Sequence, residues 1–520
     1  MRYKFIFSLL FIYFSNTLSS QTPSIQWQKS YGGIGFDQAY DVEQTSDGGY
    51  ITVGYTSSPP SGDVTLSKGG NDVWVIKTNA TGGILWQKTI GGQGYDMAKA
   101  VKQTTEGGYI IAGITNSTDG DVSVNKGTTD VWVVKLDSKG DILWEKSYGG
   151  SGGDDASSIF QTLDGGYIVA GQSYSTDGDI TGHHGTLNHD AWIIKIDAAG
   201  NLQWEKSFGG TSQEFALSVK PTSDGNFIIA GGSSSPNGNI TSVFGGEDCW
   251  LIKIDILGNI IWQKSYGGSA HEYFVEAQQT FDGGYIAIAT TQSYGGNISG
   301  QHGLSDYWAV KFDAAGNIQW QKCLGGSDTD TATSIFQDYD GGYIVAGFTY
   351  SNNGDLSTHI GLADYWVIKL NPSGNIMWEK TFGGTLNDWA RKIKPTSDGG
   401  LIVTGASKSN DGDVSGNHGD HDVWLVKLSS SKTTLNTHEN NSKNNISIYP
   451  NPAKDFVTID HLPNEATISI HDMSGRKIFS KKHAETKVSM NTSQLTSGTY
   501  IIQINDKEKI ILSEKLIIKK

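Results

Sequence analysis

Seven carboxylates recur at one place in the chain, four residues after the second glycine of a Gly-Gly step: Asp37, Asp96, Asp154, Glu214, Glu272, Asp330 and Asp388. A second series, Asp72, Asp130, Asp190, Asp248, Asp306, Asp364 and Asp422, stands two residues before a tryptophan. Carboxylates in such an array can form an electronegative funnel that binds a cation or a polyhydroxylated ligand. They can also act as the acid and base of a polysaccharide-cleaving enzyme, or accept backbone N–H bonds and hold turns. The first series mixes Asp with Glu, which weakens a strict turn-holding role. Its sameness in turn disfavours catalysis, because an acid and base pair needs two unlike environments. Chemistry is therefore sought where the repetition breaks. The residues following the first series are Gln38, Met97, Asp155, Phe215, Tyr273, Thr331 and Trp389. Phe215, Tyr273 and Trp389, each beside a carboxylate, suit a sugar ring, or equally packing between neighbouring units. The fifth unit departs further, with Phe274 for the usual Ala and Ala289 for the usual Gly. The sequence holds no nucleophile–His–acid set, phosphate loop or HExxH motif.

Two further groups offer ligating atoms. Asp119–Asp121, Asp177–Asp179 and Asp411–Asp413 are Asp-Gly-Asp steps whose oxygens could take calcium, although the corresponding steps elsewhere carry Asn, Ser or Gly. Histidines gather in the same loops (His183, His184, His189, His302, His359, His418 and His421), but no zinc-type spacing repeats. No cofactor is expected, with calcium left open.

The elements that must position these residues come from an internal repeat. One tryptophan series is Trp27, Trp86, Trp144, Trp204, Trp262, Trp320 and Trp378; the other is Trp74, Trp132, Trp192, Trp250, Trp308, Trp366 and Trp424, both at intervals of 58 to 60 residues. Each unit reads as four short strands. In the second unit these are AKAVKQT, YIIAGIT, DVWVVKL and ILWEK, joined by an EGG hairpin, a long loop and a DSKGD turn. The third run is apolar on both sides, as in a strand buried on both faces. Four strands per unit, repeated seven times, predict an all-β fold with a seven-bladed β-propeller over 21–428. A linear solenoid would need unlike capping units. The first strand, Ile25 to Lys29, is of the fourth type, and the last, Val423 to Leu428, is of the third. The predicted ring therefore closes by pairing the chain's start with its end. The long loops and Gly-Gly crossings then share one face, and the first carboxylate series is expected around the mouth of a central channel there.

With 67 glycines in 520 residues, charged residues at 18% and a net charge of −15, the composition suits turns and strands and disfavours nucleic acid and anionic lipid as partners. Residues 1–20 read as a secretory signal peptide: Arg2 and Lys4 precede an apolar run, Phe5 to Phe14, that is too short to span a bilayer. Cys249 and Cys323 occupy different positions of the repeat, so no disulfide between them is expected.

After a polar stretch at 429–445, read as a flexible linker, tryptophan vanishes and lysine and isoleucine become frequent. Residues 446–520 alternate like the strands of a small β-sandwich. This segment carries YPNP at Tyr449 to Pro452, SGR at Ser474 to Arg476, LxSGxY at Leu495 to Tyr500 and a closing KLIIK at Lys515 to Lys519. In these motifs it resembles the type A C-terminal sorting domain of the Bacteroidetes type IX secretion system. The resemblance implies export through the periplasm to the medium or the cell surface, with the secretion machinery as a partner of 446–520. The repeat region resembles secreted Trp- and Gly-rich repeat proteins that carry such tails, some with endoglucanase-like labels. The expectation is a binding or adhesion module for a glycan or surface protein, with Asp37, Asp96, Asp154, Glu214, Glu272, Asp330, Asp388, Phe215, Tyr273 and Trp389 as its ligand-binding residues. The alternatives are a polysaccharide hydrolase or lyase, and a purely structural surface protein.

Overall fold

In the computed structural model, the described residues are 22–185, 188–430, 446–471, 477–496, 498–506 and 509–519. The segment read as a signal peptide, nearly all of the one read as a linker and the SGR motif lie outside them. They form two compact units, one within 22–430 and one within 446–519.

The first unit is built from seven four-stranded antiparallel sheets. The innermost strands are Asp37–Gln44, Asp96–Gln103, Asp154–Gln161, Glu214–Pro221, Glu272–Gln279, Asp330–Gln337 and Asp388–Pro395. In six sheets the four strands follow one another in chain order. In the seventh, the outermost strand is Ile25–Tyr31, which pairs with Asp422–Leu428 in the register Trp27 to Lys427 and Tyr31 to Val423. The same bond marks this pairing as marks the others. In each sheet the third-strand tryptophan donates its indole N–H to a Gln or Glu of the outermost strand, as from Trp74 to Gln87 (2.8 Å) and from Trp250 to Gln263 (2.8 Å). Trp424 makes it to Gln28 (2.9 Å), across 396 residues of chain.

The reasons for these strands are local. In the first hairpin Gly48 adopts φ +82°, and Asp47 accepts from the Gly49 N–H (2.9 Å). The same carboxylate receives Lys77 from the third strand (2.9 Å), so the single lysine of an otherwise apolar run is satisfied at the hairpin. Third strands such as Asp72–Thr78, Asp190–Ile196 and Asp422–Leu428 are buried along their whole length. Between sheets, an outermost tryptophan meets a second-strand tyrosine of the next sheet edge-on, as in Trp27 with Tyr50 (5.7 Å) and Trp86 with Tyr109 (5.9 Å). One apolar cluster joins Tyr31, Val42 and Trp74 to Ile402, Val423 and Leu425, so the first and last sheets pack together.

Every innermost strand carries a bulge. Pairing with the second strand shifts after its third residue, between Ala39 and Asp41, Ala98 and Ala100, Ala390 and Lys392, and likewise in the other four sheets. The extra residue is Tyr40, Lys99, Ser157, Leu217, Val275, Thr333 or Arg391, and a bulge re-aims such a side chain out of the ladder. In the fifth sheet Phe274 is fully buried and stacks on Trp308 (5.9 Å, 9°), with Ala289 opposite it. That departure from the repeat thus fills core.

The second unit has a three-stranded sheet (Ser447–Tyr449, Phe456–Asp460, Lys487–Asn491) and a four-stranded one (Lys477–His483, Ala466–His471, Gly498–Asp506, Lys509–Ile518). Val457, Ile459, Ile468, Ile502, Ile504 and Leu516 form one apolar cluster between them. No helix among the described residues is long and apolar enough to cross a membrane. Cys249 and Cys323 are free and buried.

Candidate functional site

The structure places the first carboxylate series at the crossings from one sheet to the next. All seven side chains are fully buried. Each accepts the N–H of the second glycine of its Gly-Gly step: Asp37 from Gly33 (2.7 Å), Asp96 from Gly92 (2.8 Å), Asp154 from Gly150 (2.8 Å) and Asp330 from Gly326 (2.8 Å). Glu214, Glu272 and Asp388 do the same with Gly210 (2.8 Å), Gly268 (2.9 Å) and Gly384 (2.8 Å). Glutamate and aspartate thus do one job. Serines of the following loop complete the coordination, as Ser58 donates to Asp37 (2.8 Å) and Ser351 to Asp330 (2.9 Å).

The second series meets the first at the first glycine of the step. A Cβ on Gly32 would fall 2.4 Å from Asp422 Oδ1 and 2.8 Å from Asp37 Oδ2; one on Gly325 would fall 2.6 Å from Asp330 and 2.7 Å from Asp306. The same two-carboxylate clasp surrounds Gly91, Gly149, Gly209, Gly267 and Gly383. In each clasp one carboxylate comes from a sheet and the other from the sheet before it. One oxygen of the second-series acid accepts a loop N–H, as Asp72 does from Lys68 (2.7 Å), while the other is buried without a partner. Burial, reinforced by the facing acid, pushes Asp130, Asp330, Asp388 and Asp422 up to about 6.

The Asp-Gly-Asp oxygens are also occupied. Asp119 accepts from Gln93 N–H (2.8 Å) and Asp121 from Gly91 N–H (3.0 Å). In a sheet with asparagines, Asn237 and Asn239 make the same bonds to Thr211 and Gly209 (3.0 Å each), which accounts for the interchange. Among the described residues no group of three or more His, Cys, Asp or Glu side chains is arranged to hold a metal ion. His184, His302 and His418 pair with Asp190, Asp306 and Asp422 (2.7, 2.9 and 2.7 Å).

The residues after the first series lie close to an aromatic band. Tyr174, His189, Phe215 and Tyr273 form a chain of ring contacts at 4.8, 5.9 and 5.7 Å. Trp389 stacks on His421 (4.9 Å, 18°) and donates to Tyr350 Oη (3.2 Å), and His421 touches Phe36 (4.5 Å). Phe215, Tyr273 and Trp389 are half-buried. Tyr273 also lines a partly open cavity of about 430 Å³ between the innermost strands.

That cavity is lined by residues the sequence reading passed over. Its cations are Lys99, Lys102, Lys220, Arg391, Lys392 and Lys394, against only Asp41 and Glu276 among the lining carboxylates. Lys220 and Lys392 grip Glu276 (2.9 and 2.7 Å); Lys394 grips Asp41 (2.7 Å); Lys102 holds Glu43 (2.6 Å). Burial would raise Glu276 and Asp41, but the lysines outweigh it and hold both below the usual carboxylate range. Lys99 and Arg391 form no carboxylate ion pair among the described residues. Lys99 Nζ sits 3.9 Å from the centre of the Tyr40 ring, and the Arg391 guanidinium 5.7 Å from it. With the Gln38 amide turned to present its oxygen, Arg391 donates to it through Nε (2.7 Å) and Nη2 (3.1 Å). The available signal was the unlike fourth residue of the innermost strands, which is Tyr, Lys or Arg in three units and Ser, Leu, Val or Thr in the others.

Residues 447–519 match the model of the secretion system C-terminal sorting domain, so the chain carries the tail that sends type IX cargo to the cell surface or the medium. The regulatory protein FlaEY of Caulobacter vibrioides is 28% identical over 191 residues, 35% of this chain and 20% of that protein. An endo-acting ulvan lyase of Formosa agariphila is 37% identical over 76 residues, 14% of this chain and 15% of the lyase. The chain thus spans a fifth or less of the length of these relatives. Among solved structures, the Neurospora crassa Pan2 WD40 domain aligns with 78% of this chain and 96% of its own at 12% identity, with a TM-score of 0.42.

Proposed function

We propose that the first unit is a closed seven-bladed propeller acting, outside the cell, as a binding module whose ligand enters the cavity between the innermost strands. Closure is supported by the pairing of Ile25–Tyr31 with Asp422–Leu428 and by the apolar cluster shared by the first and last sheets. Binding rests on one observation. The bulge residues Tyr40, Lys99 and Arg391 make the cavity unlike around its circumference, whereas the junctions are uniform from sheet to sheet. A rigid scaffold with an asymmetric lining is the usual form of a small-molecule site. The carboxylates of both series are taken up in holding the crossings, so they serve the site by fixing its walls. A hydrolase would need a protonated carboxyl beside an ionised one at the cavity. Asp41 and Glu276 are instead both ion-paired with lysines.

The test is a glycan array with the full chain, followed by reducing-end assays on every polysaccharide that is retained. Retention without turnover supports a binding module. Turnover that is lost in Glu276→Gln would replace it with the enzymatic reading, and retention on no glycan would overturn the glycan-binding form of the proposal.

A further inference from the structure

The cavity's charge narrows the class of ligand, on the premise that the cavity is the binding site. The chain carries a net charge of −15, yet six of the lining residues are cations and two are carboxylates. Four of the six belong to the paired group. Asp41, Glu43 and Glu276 pair with Lys102, Lys220, Lys392 and Lys394, three carboxylates against four lysines, at the fifth and seventh residues of the innermost strands. Lys99 and Arg391 stand apart at the bulge level, on strands Asp96–Gln103 and Asp388–Pro395, flanking Tyr40 of Asp37–Gln44. Two half-buried cations gathered on one ring repel each other and lose hydration. Tyr40, the Gln38 amide and the charge of Asp155, which lies beyond ion-pair distance, offset part of that cost without pairing either cation. An anion lying between the two cations would pair both. The rest of the lining describes what carries the anion. Ser157 and Ser158, whose Oγ accepts from Val219 N–H (3.2 Å), add hydroxyls to the lining and Tyr273 an aromatic ring, and hydroxyls with an aromatic face suit a sugar ring.

We infer that the cavity receives an acidic saccharide whose uronate carboxylate or sulfate ester lies between Lys99 and Arg391, against Tyr40. Arg391 can present its planar fork to either oxyanion, and Lys99 supplies a point charge.

The experiment is calorimetric titration of the full chain with three oligosaccharides of matched length: one uronate-bearing, one sulfated and one neutral. At least one acidic probe should bind roughly 10-fold or more tightly than the neutral one, with affinity falling as salt rises. The stronger acidic probe identifies which oxyanion the site takes. Lys99→Met should lower that affinity by roughly 10-fold while leaving the melting temperature of the free protein unchanged or raised, because the mutation relieves repulsion. A merely structural lysine would lower both. Lys99→Arg should retain most of the binding. Neutral and acidic probes binding equally would overturn the charge argument and leave a glycan-binding module standing. Binding of none of the three would overturn both.

Discussion

The clasp around the first glycine of each crossing can be tested at the junction that joins the chain's two ends. Gly32→Ala places a methyl group 2.4 Å from Asp422 Oδ1, 2.6 Å from its Cγ and 2.8 Å from Asp37 Oδ2. Overpacking of this kind costs about 1–3 kcal/mol. Relief requires one carboxylate to move, and each holds a backbone N–H: Gly33 on Asp37 (2.7 Å) and His418 on Asp422 (3.0 Å). A hydrogen bond to a charged group contributes about 1.5–3 kcal/mol, so the expected loss is roughly 3–6 kcal/mol, much of a typical domain's stability. Gly48→Ala is the control. Gly48 has φ +82° and nothing within 4 Å of the added methyl, so its cost is conformational, about 1–2 kcal/mol. Urea titration of the full chain, followed by tryptophan fluorescence, should give a midpoint well below that of Gly48→Ala. Adding Asp422→Ala should make the pair cost less than the sum of its parts. A Gly32→Ala protein as stable as Gly48→Ala, or strictly additive effects, would refute the clasp as the reason for the glycine.

Deleting Ile25–Lys29 removes the strand that receives Trp424 and leaves Asp422–Leu428 an open edge, so the melting temperature should fall sharply; an unchanged value would count against ring closure. Asp130, Asp330, Asp388 and Asp422 titrate near 6 when folded, above their unfolded value near 3.8, so the folded state holds more protons between those limits. Stability from these groups therefore rises as pH falls from 7 to 5. Asp47, Asp164 and Asp282, held near 2 against burial by hydrogen bonds and lysines, are largely exposed and withdraw their smaller contribution only at lower pH. Melting curves should show greater stability at pH 5 than at pH 7.5, and lower stability at pH 5 than at pH 7.5 would contradict the burial of these acids. Lys99 is pushed down to about 8 by burial and Arg391, with Asp155 opposing. Affinity for an acidic oligosaccharide should thus fall as pH rises through 8, with proton uptake on binding seen as a dependence of the heat on buffer ionisation; equal affinity at pH 7 and pH 9 would argue against Lys99.

The repeat, the strand order within each unit and the pairing of Ile25–Lys29 with Val423–Leu428 were legible because each rests on local patterns: two tryptophan series, a hairpin glycine, a run apolar on both sides. The position of the acids was legible too. Their setting was not, because the two members of a clasp lie in neighbouring sheets, and for Asp37 and Asp422 at opposite ends of the chain. The cavity was hidden for a different reason. Period-two alternation assigns Lys99 and Arg391 to a face by counting, and a bulge resets the count at just those residues. The ion pair of Lys394 with Asp41 joins the last innermost strand to the first, a separation that no short window contains.

The first unit's ends are bonded to each other: Ser24 N–H donates to Ser429 Oγ (2.9 Å), and Ser429 N–H to the Ser24 carbonyl (2.8 Å). The junction beside them has the same chemistry as the internal ones. Where the first unit begins, at 24 rather than at another crossing, is therefore arbitrary with respect to its sheets. A short peptide joining 24 to 429, with new termini cut into any of the Asp-Gly-Gly hairpins, would yield circular permutants with the same sheets, clasps and cavity.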